Sequence, residues 1–281
     1  MNENQSIKKS IYRKIRYMLL QRGFNGITAS QRKLPNFLVI GGKRCGTTTL
    51  FEFLRQHPRI SNPIFDHMGF FDDNFRLGIN YYKSFFPIKT KKNMNMLDYD
   101  VTTSYLTSPY VPERIKTEMP EIKIIVLLRN PTARAWSDFN STMGSHSSLT
   151  KFTQCIDKEL EQLNSCNLSE QVLTNDYNLK DPCLNFLKKG LYAYYLKKWF
   201  KLFPRKNFLI LPTETFSKDE NYVFEKIFDF LELPNFQIQK LQRMSKGNYQ
   251  PLDSKVKNRL DDYFAPINDE LFKLINQKFE W

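Results

Sequence analysis

The chain has 281 residues, 24 of them Phe and 14 Tyr, with four cysteines and a formal net charge of +13 at pH 7. That length admits one large α/β domain or two small ones, and the aromatic content excludes a disordered chain. The positive excess points to an anionic partner: a nucleotide, an acidic glycan, a nucleic acid or an anionic membrane.

In chain order, residues 7–22 (IKKSIYRKIRYMLLQR) read as a basic amphipathic helix, with Ile7, Ile11, Ile15, Met18 and Leu19 near one face. Such a helix either packs on the domain or makes a peripheral membrane contact. The apolar patch Tyr17–Leu20 is too short for a signal h-region, and no run is long enough to span a membrane. The expected location is therefore the cytoplasm, peripheral to a membrane if the helix binds one. Phe37–Ile40 suits a buried strand, followed by a glycine turn and an amphipathic helix start at Leu50–Leu54. Leu77–Phe86 looks helical, Met96–Asp100 is a second strand, and Pro112–Glu118 a helix. Ile122–Leu128 is the clearest strand, and Pro131 opens the helix after it.

Residues 143–182 are polar, weakly periodic and insertion-like. Leu191–Phe203 then predicts an aromatic helix, Asn207–Leu211 a strand and Tyr222–Leu231 a helix, before two closing helices near 253–264 and 266–278. Strands separated by helices predict a parallel sheet with ligands beyond its carboxyl ends. The cysteines (Cys45, Cys155, Cys166, Cys183) have no CxxC or metal spacing, so no dense disulfide framework is expected. A single Cys155–Cys166 or Cys166–Cys183 bridge stays open.

Two stretches carry chemistry. In NFLVIGGKRCGTTTLFEFLR (36–55), Gly41, Gly42 and Gly46 permit a tight turn between strand and helix. That turn gathers free N–H groups and the positive helix end, with Lys43, Arg44 and the hydroxyls of Thr47, Thr48 and Thr49 as further donors. It is an oxyanion cradle. A Walker A loop would place Lys directly after the last glycine, where this chain has Thr47. In LLRNPTARAWSDF, Arg129 stands at a strand's carboxyl end and Ser137 two turns into the next helix, both suited to a phosphate.

The first stretch resembles the 5′-phosphosulfate loop, and the second the 3′-phosphate motif, of sulfotransferases that use 3′-phosphoadenosine-5′-phosphosulfate (PAPS). FFDDNFRLGINYYKSFF, GLYAYYLKKWFKLFPRKNFLIL, FDFLELP and SKGNYQPLDSKVKNRLDDYFAPINDELFKLI extend the likeness over roughly residues 35–281. It is closest to the glycan branch that includes the heparan sulfate 3-O- and N-sulfotransferases. The resemblance implies a single α/β domain over residues 36–281 behind a basic arm over 1–35. Its sheet would be parallel, central and flanked by helices, in a P-loop-like fold with PAPS as donor and no metal.

By the same resemblance, Lys43 neutralises the leaving 5′-phosphate, which Arg44, Gly46, Thr47, Thr48 and Thr49 hold. Arg129 and Ser137 hold the 3′-phosphate, with Lys246 and Gly247 in a cofactor loop. The glycan branch carries a catalytic Glu three residues before its Phe-Phe pair; here that position is His67. Cytosolic sulfotransferases use His as base, and an imidazole suits deprotonation near neutrality. Asp66 and Asp100 are the rival bases. Val101 replaces a Lys of the heparan enzymes, and Asn248 an Arg of the cofactor loop.

The implied acceptor is a glycan or glycolipid rather than nucleic acid. Lys83, Lys89, Lys91, Lys92, Lys188, Lys189, Lys197 and Lys198 would suit an acidic glycan, or simply form a solvated basic surface. An atypical P-loop kinase and a non-enzymatic polyanion binder are the alternatives. The kinase lacks a metal-binding Asp at the best strand's end, and the binder leaves two phosphate motifs unexplained.

Overall fold

A computed structural model describes residues 24–61, 63, 67–165, 185–239 and 249–281. Four short strands form its centre: β1 (Phe37–Gly41), β2 (Tyr99–Val101), β3 (Lys123–Leu128) and β4 (Phe208–Pro212). They pair in parallel in the order β2-β1-β3-β4. A parallel sheet covered on both faces needs strands that are apolar on both sides, and FLVIG and KIIVLL supply them. Alternation along β1 sends Leu38 and Ile40 into one core cluster and Phe37 and Val39 into the other.

The helices are α1 (Thr47–Leu54), α2 (Ile79–Lys83), α3 (Val111–Glu118), α4 (Pro131–Met143), α5 (Leu149–Asn164), α6 (Tyr192–Leu202), α7 (Thr213–Lys218), α8 (Glu220–Leu231) and α9 (Ser254–Ile275). One sheet face is closed by α1 and α8, through Leu50, Phe53, Phe224 and Phe228. The other is closed by α4, α6 and α9, through Phe139, Trp199 and Phe264. Burying each such side chain contributes about 1.5–3 kcal/mol. The result is the single α/β domain the sequence predicts. Sheet growth reverses between β1 and β3, and the crevice beyond the strands' carboxyl ends at that reversal is where open α/β sheets place ligands.

The structure corrects the insertion-like reading of 143–182 in its first half. Leu149–Asn164 is a helix that buries Phe152, Cys155, Ile156, Leu160 and Leu163 in the core. Ser148 caps it by accepting from the Lys151 N–H at 3.2 Å. Its buried face also holds Glu159, whose carboxylate accepts from the N–H groups of Leu187 and Lys188, and that charge masks the apolar period. Cys155 is disulfide-bonded.

The two closing helices are one, Ser254–Ile275, continuous through Pro266. Pro266 is exposed, while Phe264, Ile267 and Leu271 on either side are buried. Packing of that inner face outweighs the missing N–H. Of the Leu77–Phe86 segment, only Ile79–Lys83 is α-helical. The basic helix expected over 7–22 lies outside the described residues.

Candidate active site

The turn after β1 is built by its glycines. Gly46 takes φ 85° and stands at the N-cap of α1, where it brings no capping side chain. The first-turn N–H groups of Thr47, Thr48 and Thr49 are therefore left for an outside acceptor. At Gly41 an added Cβ would come within 2.8 Å of Leu106 Cβ, so only glycine fits there. The Gly42 N–H donates to the Leu127 carbonyl at 2.5 Å, tying the turn to β3. Cys45 faces inward, and burial pushes its thiol up to about 11.

The two stretches singled out in the sequence meet directly. Arg44 Nε donates to Ser137 Oγ at 3.2 Å, and Arg129 Nη1 to the Arg44 carbonyl at 3.4 Å. One turn position further, Lys43 Nζ lies 3.1 Å from Asp138 Oδ1. Asp138 is fully buried, and its Oδ2 also takes Arg134 Nη1 and Lys189 Nζ, each at 3.3 Å. Burial alone would raise this carboxyl. Arg134, Lys189 and Lys43 outweigh it and hold Asp138 down at about 2. Lys189 is itself lowered by burial and by the neighbouring cations, against the pull of Asp138.

One carboxylate thus sits among three cations, with Arg44 and Arg129 alongside. The local excess of positive charge beside open helix N–H groups suits a ligand carrying several anionic oxygens. Lys43 is 48% exposed, so it is placed to reach such a ligand.

Strand ends complete the frame. The Thr213 hydroxyl lies 2.7 Å from the Cys45 carbonyl and 2.9 Å from the Leu128 carbonyl, bridging the turn and β3. Asn130 caps α4 by accepting from the Ala133 N–H at 2.9 Å. Its own N–H donates to Glu214 Oε1 at 3.0 Å.

A second buried aspartate organises the neighbouring segment. Asp100, fully buried, accepts from Thr102 Oγ1 at 2.7 Å, Tyr82 OH at 2.9 Å and Tyr105 OH at 3.0 Å. Thr102 Oγ1 in turn accepts from the N–H groups of Met68 and Gly69, and Tyr105 OH from those of Phe70 and Phe71. This network holds residues 68–71 by their backbone, directly after the exposed His67. Burial raises the Asp100 carboxyl, and the three hydroxyls oppose it. Enclosed on both oxygens, Asp100 is placed to anchor this segment rather than to meet a substrate.

The structure therefore brings together Lys43, Arg44, Gly46, Thr47, Thr48, Thr49, Arg129 and Ser137. It places His67 at the surface behind the Asp100 network. Asp66, Lys246, Gly247 and Asn248 lie outside the described residues. The basic glycan-facing surface needs correction, because several of its lysines are committed elsewhere. Lys188 is buried, Lys189 binds Asp138, Lys89 pairs with buried Asp98 at 2.5 Å, and Lys197 and Lys198 pair with Glu270 and Glu113. Lys91 and Lys92 remain exposed. Sequence reasoning missed Asp138, Arg134, Tyr192, Thr213 and Glu214, and gave Lys189 only to the basic surface. Only Asp138 had a signal, its place beside Ser137.

A family model described as a sulfotransferase domain matches residues 34–262. The chain belongs to the sulfotransferase family. It is 23% identical to the membrane-associated sulfotransferase kil1 of Dictyostelium discoideum, over 88% of this chain and 66% of that protein. It is 26% identical to human heparan sulfate glucosamine 3-O-sulfotransferase 6, over 89% of this chain and 75% of that one. The solved structure of a sulfotransferase from Alicyclobacillus acidocaldarius superposes with a TM-score of 0.68 at 22% identity, covering 88% of this chain and 98% of the other. That likeness speaks to the fold.

Proposed function

We propose that this protein transfers the sulfuryl group of PAPS to a hydroxyl or amine of a carbohydrate acceptor. The observation that carries the reading is the meeting of the glycine turn with α4: Arg44 on Ser137, and Lys43 on Asp138. Two phosphate-binding elements in contact across the β1/β3 crevice suit a nucleotide phosphorylated at both 5′ and 3′ positions. Bound there, PAPS supplies an activated sulfuryl group on its 5′-phosphate.

The chain's own residues then do mostly positioning and charge stabilisation. Arg44 and the N–H groups and hydroxyls of Gly46, Thr47, Thr48 and Thr49 hold the 5′-phosphate. Lys43 offsets the charge that develops on the leaving oxygen. Arg129 and Ser137 hold the 3′-phosphate, joined by Lys246 and Gly247. His67 takes the proton from the acceptor, and the Asp100 network keeps its segment in place.

Relatives named for heparan sulfate glucosamine support the carbohydrate acceptor, and exposed Lys91 and Lys92 suit an anionic sugar. Among the described residues no helix is long and apolar enough to cross a membrane. The disulfide at Cys155 favours an oxidising compartment over the cytoplasm expected from sequence. A thermal-shift panel tests the donor. Stabilisation by 3′,5′-bisphosphoadenosine (PAP) without Mg²⁺ supports the reading, whereas stabilisation only by ATP with Mg²⁺, or only by heparin, overturns it. Sulfated product from PAPS and glycan extracts, read by mass spectrometry, tests the acceptor.

A further inference from the structure

The peptide unit between Arg129 and Asn130 is held at both ends. Its carbonyl, on Arg129, accepts from Tyr192 OH at 3.0 Å, and its N–H, on Asn130, donates to Glu214 Oε1 at 3.0 Å. Both partners lead to one residue. Trp281 Nε1 donates to Glu214 Oε2 at 3.0 Å, and the Trp281 ring lies 6.0 Å from that of Tyr192. Phe272 and Phe279 pack against the indole at 5.6 and 5.1 Å, so its orientation is fixed from behind.

A peptide plane pinned on its carbonyl and its N–H cannot rotate, and the Arg129 side chain leaves the backbone at that plane. Glu214 accepts one N–H on each carboxylate oxygen, which holds it in a single orientation and satisfies its charge. Without the indole donor, Glu214 is free to swing, leaving the Asn130 N–H unpartnered and a mobile anion close to Arg129.

We propose that Trp281 and Glu214 are positioning residues for the 3′-phosphate clamp, acting through the Arg129–Asn130 peptide. This rests on the PAPS reading above. Neither residue is required to touch the nucleotide.

The test compares two ligands: PAP, and adenosine 5′-phosphosulfate, which lacks the 3′-phosphate. Trp281→Phe keeps an aromatic ring and loses the N–H. PAP affinity should fall about three- to tenfold, the scale of one ordinary hydrogen bond, with adenosine 5′-phosphosulfate within about twofold of wild type. Glu214→Gln should also weaken PAP. That direction is diagnostic, because removing a negative charge near a phosphate would by itself tighten binding.

Because Trp281 acts through Glu214, the double variant should bind PAP no more weakly than Glu214→Gln alone. Thermal midpoints of the variants serve as the folding check. Equal loss for both ligands, unchanged PAP affinity in Trp281→Phe, tighter PAP in Glu214→Gln, or additive effects would each overturn the proposal. If wild-type protein fails to bind PAP at all, the PAPS reading falls and takes this inference with it. If it binds and the variants do not differ, only the inference falls.

Discussion

Asp138 and Asp100 are both fully buried, yet they sit in opposite surroundings. Asp138, at the donor end of the site, is encircled by Lys43, Arg134 and Lys189, and its carboxyl is held down at about 2. Asp100, behind His67, is encircled by the hydroxyls of Tyr82, Thr102 and Tyr105, and burial raises it. The difference fits what the proposed function asks of each end. A cradle for an anionic nucleotide needs surplus positive charge that is ordered before the ligand arrives, and a buried anion provides the order while leaving net charge positive. A segment that presents one base needs only its backbone fixed, and the Thr102 and Tyr105 hydroxyls, held by Asp100, do that as neutral acceptors of its N–H groups.

The largest expected effects separate the two ends by what they leave intact. His67→Ala should lower kcat by about 10²–10⁴, as loss of a general base does, with PAP affinity nearly unchanged. Lys43→Ala should lower turnover by about 10²–10³, as loss of one preorganised charge-stabilising donor does. Steady-state kinetics with PAPS, beside PAP titrations, would break the division if His67→Ala turned over within threefold of wild type. Next in size, Asp138→Asn should cost about 3–5 kcal/mol in urea unfolding, because it leaves buried Arg134 without its counter-ion. Asp100→Asn should cost about 1–3 kcal/mol, the loss of one good acceptor from a hydroxyl network. Equal costs would mean that the charged and neutral networks are energetically alike. Arg129→Ala should weaken PAP binding by about 1.5–3 kcal/mol and leave adenosine 5′-phosphosulfate unaffected.

Much of this was legible in the chain because the signals were local. Phe37–Ile40 and Ile122–Leu128 are continuous apolar runs, and the glycines, cations and threonines of the cradle all lie in one stretch, Gly41 to Thr49. What was not legible depends on distant partners or on a rule broken by packing. Lys189 reads as one more surface cation until the fold carries it to Asp138, and Glu214 and Trp281 lie far apart in sequence. The helix at Leu149–Asn164 hides its period because Glu159 sits on the buried face, satisfied by backbone N–H groups from Leu187 and Lys188. Pro266 argues for a helix break, which the exposed position of its ring makes unnecessary. Asp100 appeared as a rival base because nothing in sequence reveals the three hydroxyls that close over it.

The finest test of the contrast is the sign of its pH dependence. Asp138 is more acidic folded than free, so its contribution is fully present above the ordinary carboxylate value of 3.8 and is lost as pH falls toward about 2. The shift corresponds to about 2 kcal/mol. Asp100 is less acidic folded than free, so its contribution is fully present below that same ordinary value and is lost as pH rises through the raised one. The destabilisation caused by Asp138→Asn should therefore shrink when unfolding is measured at about pH 3 instead of pH 7. The destabilisation caused by Asp100→Asn should grow over the same interval, because the wild-type carboxyl no longer bears a buried charge. Opposite slopes in the two variants would show that one aspartate is kept for its charge and the other for its acceptors. Parallel slopes would mean that Asp100 is also held as a paired anion, and the division between a charged donor end and a neutral acceptor end would fail.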